Sequence, residues 1–289
     1  MVKQIDILVM AFEPSGDCHG AKLIDDLQQK APQLKIAGVA GPKMRQRNIE
    51  ELLPMEKFQV MGFVDVAKNI IKLARLFYVL RRKIVQLKPK VCLFIDYPDW
   101  NLLMQRSLRR YQFGGKLIQV VCPSVWAWRS GRIKNMERDL DRLFVIFPFE
   151  KTLFQHSKLP VNYIGNSLVE DVFRYQCSHA HHQKKNRLTL FPGSRRQEII
   201  KNLPLQLLAA KKQQILPVVS AASYKLIPVI EKIMKKVGVA AKIIPPGNLY
   251  ALMSETEVAI ATSGTVTLEL ACLQIPTIVT YATSTLDYL

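Results

Sequence analysis

Short apolar runs alternate with longer amphipathic stretches through most of the chain. "IDILVMA" (5–11), "KIAGVAG" (35–41), "KVCLFID" (90–96), "KLIQVVC" (116–122) and "RLFVIFP" (142–148) are β-rich and apolar enough to be covered on both faces. In the stretch 67–87, Ile70, Leu73, Ala74, Phe77, Leu80, Ile84 and Leu87 keep helical spacing. After a polar segment near 175–187 the alternation restarts with "RLTLFPGS", "QILPVVSA", "VAAKIIP", "EVAIATSG" and "IPTIVTYA". Strands that alternate with helices predict parallel sheets covered by helices. The whole pattern predicts two doubly wound, Rossmann-like α/β domains facing a cleft: 1–170, a linker over 171–187, and 188–289. Ligands of such sheets sit beyond the carboxyl ends of the strands.

The loops at those ends are rich in chemistry. "ILVMAFEPSGDCHGA" follows the first strand with Glu13, Ser15, Gly16, Asp17 and His19. "FIDYPDWN" carries Asp96, Asp99 and Asn101, and "VVCPSVWAWRSGR" carries Ser124, Trp126, Trp128 and Arg129. In the second half, "LFPGSRRQEI" and "ATSGTVTLE" set small residues before a helix, where backbone N–H groups and the positive helix end favour a phosphate. Arg195 or Arg196 adds a cation suited to bidentate contact. Each turn alone reads equally as a helix cap. Their repetition at one end of successive strands, in both halves, is what points to a site.

Composition narrows the classes. Lys and Arg number 41 against 23 Asp and Glu, a formal net charge of +18, which favours anionic partners: nucleic acid, an anionic membrane or phosphorylated substrates. No nucleic-acid recognition motif accompanies the charge, so nucleic acid is not expected. The five cysteines lack disulfide or zinc-ligand spacing, which fits a reduced cytoplasmic compartment. His179, His181 and His182 lie in "CSHAHHQKKN", which reads as a solvated linker rather than a metal tract, and neither metal nor cofactor is expected. The start "MVKQIDILVM" breaks its apolar run at Asp6 and reads as a buried strand rather than a leader. No apolar run approaches the roughly 18 residues of a spanning helix.

The segments "EPSGDCHGA", "GVAGPKM", "VMGFVDV", "FIDYPDWN", "CPSVWAWRSGR", "FPFEKTLF", "YIGNSL", "LFPGSRRQEI" and "SGTVTLELA" run in order along nearly the whole chain. In them the chain resembles the lipid-A-disaccharide synthase family, inverting glycosyltransferases of the two-domain GT-B fold. "PSVWAW" with its following basic residue and the "PGSR…EI" turn are the more specific; "SGT…E" is shared by many nucleotide-sugar enzymes. The resemblance implies metal-free condensation of UDP-2,3-diacylglucosamine with 2,3-diacylglucosamine 1-phosphate, giving a β-1,6 disaccharide and UDP. It implies an N-terminal acceptor domain and a C-terminal nucleotide-sugar domain. Asp99 is the expected base, with Glu13 and Asp17 as alternative or acceptor-orienting carboxylates, and Ser15, Gly16, Asn101 and Ser124 beside the sugar. Gly193, Ser194 and Arg195, supported by Ser263, Gly264 and Thr265, would meet the diphosphate, and Glu269 the ribose hydroxyls.

Two departures from the family pattern matter. Asn166 stands where the family carries a histidine, so a titrating role there is lost. The chain also stops at "TSTLDYL", before the helices that complete the family's second domain, which predicts a truncated product or lost activity. Alternatives on the same fold are a non-catalytic sugar-nucleotide or lipid-binding remnant and a UDP-sugar epimerase. Homo-oligomerisation is compatible with the sequence. Peripheral binding to the inner face of the cytoplasmic membrane is expected through 63–85: from Val66 to Ile95 there are eight Lys and Arg and no acidic residue. There Ile71, Leu76, Tyr78, Val79 and Val85 fall outside the face spaced from Ile70 to Leu87 and read as spare apolar surface.

Overall fold

The computed structural model describes residues 5–58, 63–127, 129–179 and 186–282, with 63–69 described by backbone alone. Two compact units, Met1–Asn166 and Ser167–Leu289, divide the chain. The first holds a parallel sheet of β1 (Ile7–Ala11), β2 (Ile36–Ala40), β3 (Glu50–Pro54), β4 (Val91–Ile95), β5 (Lys116–Val120), β6 (Arg142–Val145) and β7 (Val161–Tyr163). Its strand order is β3-β2-β1-β4-β5-β6-β7. Helices α1 (Pro14–Lys30), α2 (Pro42–Arg45), α3 (Phe63–Leu87), α4 (Pro98–Arg110) and α5 (Arg132–Asp139) connect the strands.

The strand period of two sorts β1 onto two cores. Ile7, Val9 and Ala11 pack with Ala21 and Ile24 of α1 and Met44 of α2. Leu8 and Met10 face the other way, toward Leu80 and Ile84 of α3 and Met104 and Leu108 of α4. Each such fully buried large side chain contributes about 1.5–3 kcal/mol. The edge strands β3 and β7 escape the sequence pattern, because β3 reads EELLP with two exposed residues and β7 is half exposed.

Helix α3 departs from its expected face. Leu80 and Ile84 are fully buried, but Ile70, assigned to the core by spacing, is 61% exposed and Ile71 is 82% exposed. Among the described side chains, contacts of α3 with the core begin at Leu76, so Leu76 and Val85, expected as surplus surface, pack against it instead.

The second unit holds parallel strands β8 (Leu188–Phe191), β9 (Val218–Ser220), β10 (Lys242–Ile244), β11 (Val258–Thr262) and β12 (Thr277–Thr280), in the order β10-β9-β8-β11-β12. Its helices are α6 (Ser167–Ser178), α7 (Arg196–Lys212), α8 (Ile227–Val237), α9 (Leu249–Ser254) and α10 (Thr265–Cys272). Residues 171–178, read as linker, lie inside α6, which packs beside α10. His181, His182 and Trp128 lie outside the described residues. Among the described residues no helix is long and apolar enough to cross a membrane. The strand order reverses between β1 and β4 in the first unit and between β8 and β11 in the second. Those two reversals are where doubly wound sheets open a crevice for ligands.

Candidate functional site

At the first reversal the backbone is strained. Asp96 (φ 51°) and Tyr97 (φ 45°), just past β4, both adopt the left-handed conformation, and so does the β-branched Val121 (φ 70°) just past β5. Such residues cost on the order of 1–3 kcal/mol each and persist only where neighbours hold them. Here the neighbours are buried amides. Gln119 Nε2 donates to the carbonyls of Asp96, Val120 and Val121, each at 3.2 Å, and Gln119 Oε1 accepts from Gln105 Nε2 at 2.9 Å. Asn101 Nδ2 donates to the carbonyls of Ile95 and Asp96. Asn101, Gln105 and Gln119 are fully buried. Asn101, expected beside the sugar, therefore acts beneath the loop rather than on its surface.

The expected carboxylates separate into different roles. Asp17 is 2% exposed, and its oxygens accept the backbone N–H groups of Gly41, Lys43 and Met44 at 3.0, 2.8 and 3.0 Å. It caps α2 from another helix, and in the structure its oxygens are engaged by backbone amides rather than turned to a ligand. Ser15 Oγ donates to Asp96 Oδ2 at 3.1 Å, tying the β1 loop to the β4 loop. Gly16 is buried in the same junction, where a Cβ would stand 3.4 Å from the Ile95 carbonyl oxygen. Glu13 is half-buried at the start of α1. Burial pushes the Tyr97 phenol up, and the charges of Glu13 and Asp99 push it further. Asp99 is exposed, and its Oδ1 accepts from Arg129 Nη1 at 3.1 Å and from Arg132 Nη2. Ser124 is exposed on the next loop. There Trp126 packs edge-on to Phe149, which stacks on Phe147.

The second reversal repeats the device. Gln206, buried on α7, donates to Thr262 Oγ1 at 3.3 Å and Thr280 Oγ1 at 3.0 Å at the ends of β11 and β12. One turn earlier Asn202 Oδ1 accepts from the Ala282 amide at 2.9 Å. Gly193 takes φ +113°, and a Cβ there would lie 2.7 Å from Glu198 Oε2. That same oxygen accepts the amides of Ser194 and Arg195 at 3.2 Å, while Glu198 Oε1 pairs with Arg195 Nη1 at 3.2 Å. The groups expected to meet a diphosphate thus hold an internal carboxylate. Ser263, Gly264 and Thr265 are exposed at the start of α10. Glu269 is 7% exposed and accepts from the Tyr250 phenol at 3.1 Å. Asn166, 9% exposed, closes the first unit. Among the described residues no group of His, Cys, Asp and Glu is arranged to hold a metal ion.

Sequence reading missed Gln105, Gln119, Asn202, Gln206 and Glu198. The signal was present: an Asn and a Gln four apart inside an otherwise apolar helix face, in both α4 and α7.

Burial raises the Glu269 carboxyl, the Tyr250 hydrogen bond opposes this, and Asp171 adds to the rise. A carboxyl raised in the folded state binds its proton more tightly there, so stability falls as pH rises from the unfolded value through the folded one. Tyr250→Phe removes the bond that favours the charged form. The Glu269 carboxyl carbon, followed by NMR, is expected to titrate at higher pH in that variant; an unchanged or lower midpoint would show that the phenol does not hold the carboxylate.

A family model described as lipid-A-disaccharide synthetase matches residues 7–289. The lipid-A-disaccharide synthase of Chlamydia pneumoniae is 39% identical over 279 residues, covering 93% of this chain and 46% of that protein. That of Geobacter sulfurreducens is 35% identical over 297 residues, covering 98% of this chain and 76% of that protein. The chain spans about half the length of the chlamydial relatives it matches. Among solved structures, Acinetobacter baumannii MurG superposes with a TM-score of 0.56 at 15% identity, covering 98% of this chain and 80% of that one. The UDP-GlcNAc 2-epimerase of Neisseria meningitidis, bound to UDP-GlcNAc, superposes with a TM-score of 0.60 at 14% identity, covering 95% and 82%. These structural likenesses support the GT-B class of fold, and the family match runs through both strand reversals with their polar loops. The chain belongs to the lipid-A-disaccharide synthetase family.

Proposed function

We propose that the chain works as an inverting hexosyltransferase that joins UDP-2,3-diacylglucosamine to 2,3-diacylglucosamine 1-phosphate. The observation that carries this reading is the pairing of family membership with two polar strand reversals, one rich in carboxylates and one in amides and a guanidinium. The first unit is assigned the acceptor and the second the UDP moiety. The acceptor 6-hydroxyl gives its proton to Asp99, its oxygen bonds to the donor's anomeric carbon, and UDP leaves with the electrons of the broken C–O bond. Glu13, at the start of α1, orients the acceptor. The buried amides keep this loop fixed, so that geometry rather than rearrangement serves the reaction.

On the donor side, Arg195 and the amides of Ser194 and Arg195 receive the diphosphate once the Glu198 carboxylate turns aside. Glu269, steadied by Tyr250, holds the ribose. A structural neighbour binds UDP-GlcNAc on the same fold, which supports a sugar nucleotide as ligand. Such a neighbour is also an epimerase, so dependence on the acceptor is the discriminating property. UDP release by the chain is expected only when both acylated sugars are present; release without acceptor, or none with both, would overturn the reading. Arg195→Ala is expected to weaken UDP binding by roughly 1.5–3 kcal/mol in calorimetric titration, the range of a charge-assisted hydrogen bond. An unchanged affinity would remove Arg195 from the donor site.

Acylated substrates reside in a bilayer, and α3 offers a surface that reaches one. Ile70, Ile71, Tyr78 and Val79 are exposed beside Lys72, Arg75 and Arg82. Cations near an anionic surface contribute about 1 kcal/mol each, and apolar side chains enter the interface. This surface supports the proposal of peripheral binding at the inner face of the cytoplasmic membrane. Flotation with anionic vesicles at low salt is expected to recover the chain, and neutral vesicles to recover much less. Ile71→Asp with Val79→Asp is expected to abolish recovery without unfolding the chain; retained binding would move the anchor elsewhere.

A further inference from the structure

Arg81 is held between two tyrosines from different helices. Its guanidinium carbon lies 4.8 Å from the centroid of the Tyr78 ring on α3 and 4.2 Å from that of Tyr111, which caps α4. Arg81 Nη1 also donates to Ser107 Oγ of α4 at 3.1 Å. The side chain is half-buried, yet among the described residues no carboxylate pairs with it. Tyr78 and Tyr111 are 58% and 57% exposed, and cation–π contacts that open to water contribute little, so the arrangement gains the fold little. A guanidinium carries five N–H donors in a planar fork, and the hydroxyl takes one of them. The remaining donors fit an oxyanion, and a phosphate accepts two at once. The surroundings are basic and apolar. On α4, Leu103, Arg106, Arg110 and Tyr111 are exposed at helical spacing around Ser107. On α3, Ile71, Arg75, Tyr78 and Arg82 share an exposed face, and from Val66 to Ile95 the chain has no acidic residue.

We infer that Arg81, Ser107, Tyr78 and Tyr111 form a site for the phosphate of a glycerophospholipid, whose acyl chains stay in the bilayer. This rests on the bilayer-facing role given to α3 under the proposed function, and adds α4 to that surface. The acidic residue of α4 is Asp99, eight residues before Ser107 and so about 12 Å from it along the helix. The site is thus apart from the reacting groups, and a membrane lipid occupies it while substrate is turned over. Tyrosine suits the headgroup level, where one end of the side chain is apolar and the other wet. The exposed Leu103 and Ile71 favour an amphiphile over a free phosphate ion, which gains nothing from apolar neighbours.

The test is calorimetric titration of the full chain with dioctanoyl phosphatidic acid in neutral maltoside micelles. Dioctanoylglycerol in the same micelles and glycerol 3-phosphate in buffer are the comparisons. The phosphatidic acid is expected to bind more tightly than either by about tenfold or more. Arg81→Lys keeps the charge but loses the planar fork, and is expected to weaken phosphatidic acid binding by about tenfold. Tyr111→Leu removes one ring and is expected to weaken it as well, which keeps the test open if Arg81→Lys fails to fold. Attraction to diffuse charge predicts no change in Arg81→Lys, and that result in the folded variant would overturn the site. A lower melting temperature with unchanged affinity in either variant would make the cluster a staple between helices and overturn it too. Glycerol 3-phosphate binding as tightly as the lipid would overturn the lipid as occupant, and dioctanoylglycerol doing so would overturn the phosphate. If Ile71→Asp with Val79→Asp still floats with vesicles while Arg81→Lys loses phosphatidic acid, the α3 anchor falls and this site stands.

Discussion

Buried side-chain amides hold the carboxyl ends of the strands in both units, and the geometry of the polar loops depends on them. Where β4 and β5 end, the chain must turn sharply into a helix and a loop, and it does so through left-handed residues that are not glycine. A buried carbonyl left unpaired at such a turn costs about 1–3 kcal/mol. Gln119 and Asn101 bond the carbonyls there, and Gln105 fixes Gln119 in turn. In the second unit Gln206 instead bonds the Thr262 and Thr280 hydroxyls at the ends of β11 and β12, and Asn202 accepts the Ala282 amide. An Asn and a Gln four residues apart on the helix after the switch-point strand is one solution used twice.

The second theme is substitution of anions by the protein's own carboxylates. Glu198 sits on the amides and guanidinium of the α7 start, and Asp99 sits between Arg129 and Arg132. In each case the positive groups are met by a carboxylate whose side chain is not fully buried. Asp17 is the contrast: fully enclosed and bonded to three amides, it is part of the frame.

Much of this was legible in the sequence, because strand periodicity and strand-end polarity are local signals. The strands of both sheets that carry the site were readable from apolar runs, and the loops that carry chemistry from their polar density. Edge strands β3 and β7 were not, since an edge needs little burial and so leaves little apolar pattern. The roles of Asp17 and Asn101 were also hidden, since their partners are backbone groups that only the fold brings near. Ile70 misled for a related reason: helical spacing marks a face but not how far along the helix a core extends.

The central claim is that the Asp96–Asn101 loop is as rigid as the strands that flank it, because side-chain N–H groups of Asn101 and Gln119 beneath it bond the carbonyls at its base. Amide hydrogen exchange tests this most directly at the Asp96 N–H, bonded to the Val120 carbonyl at 2.9 Å, and at the Asn101 N–H, bonded to the Tyr97 carbonyl at 3.2 Å. The account predicts that both exchange only with the opening of β4 and β5, at the same free energy as the strand amides. Exchange at the rate of an exposed loop, with β4 and β5 still protected, would contradict it.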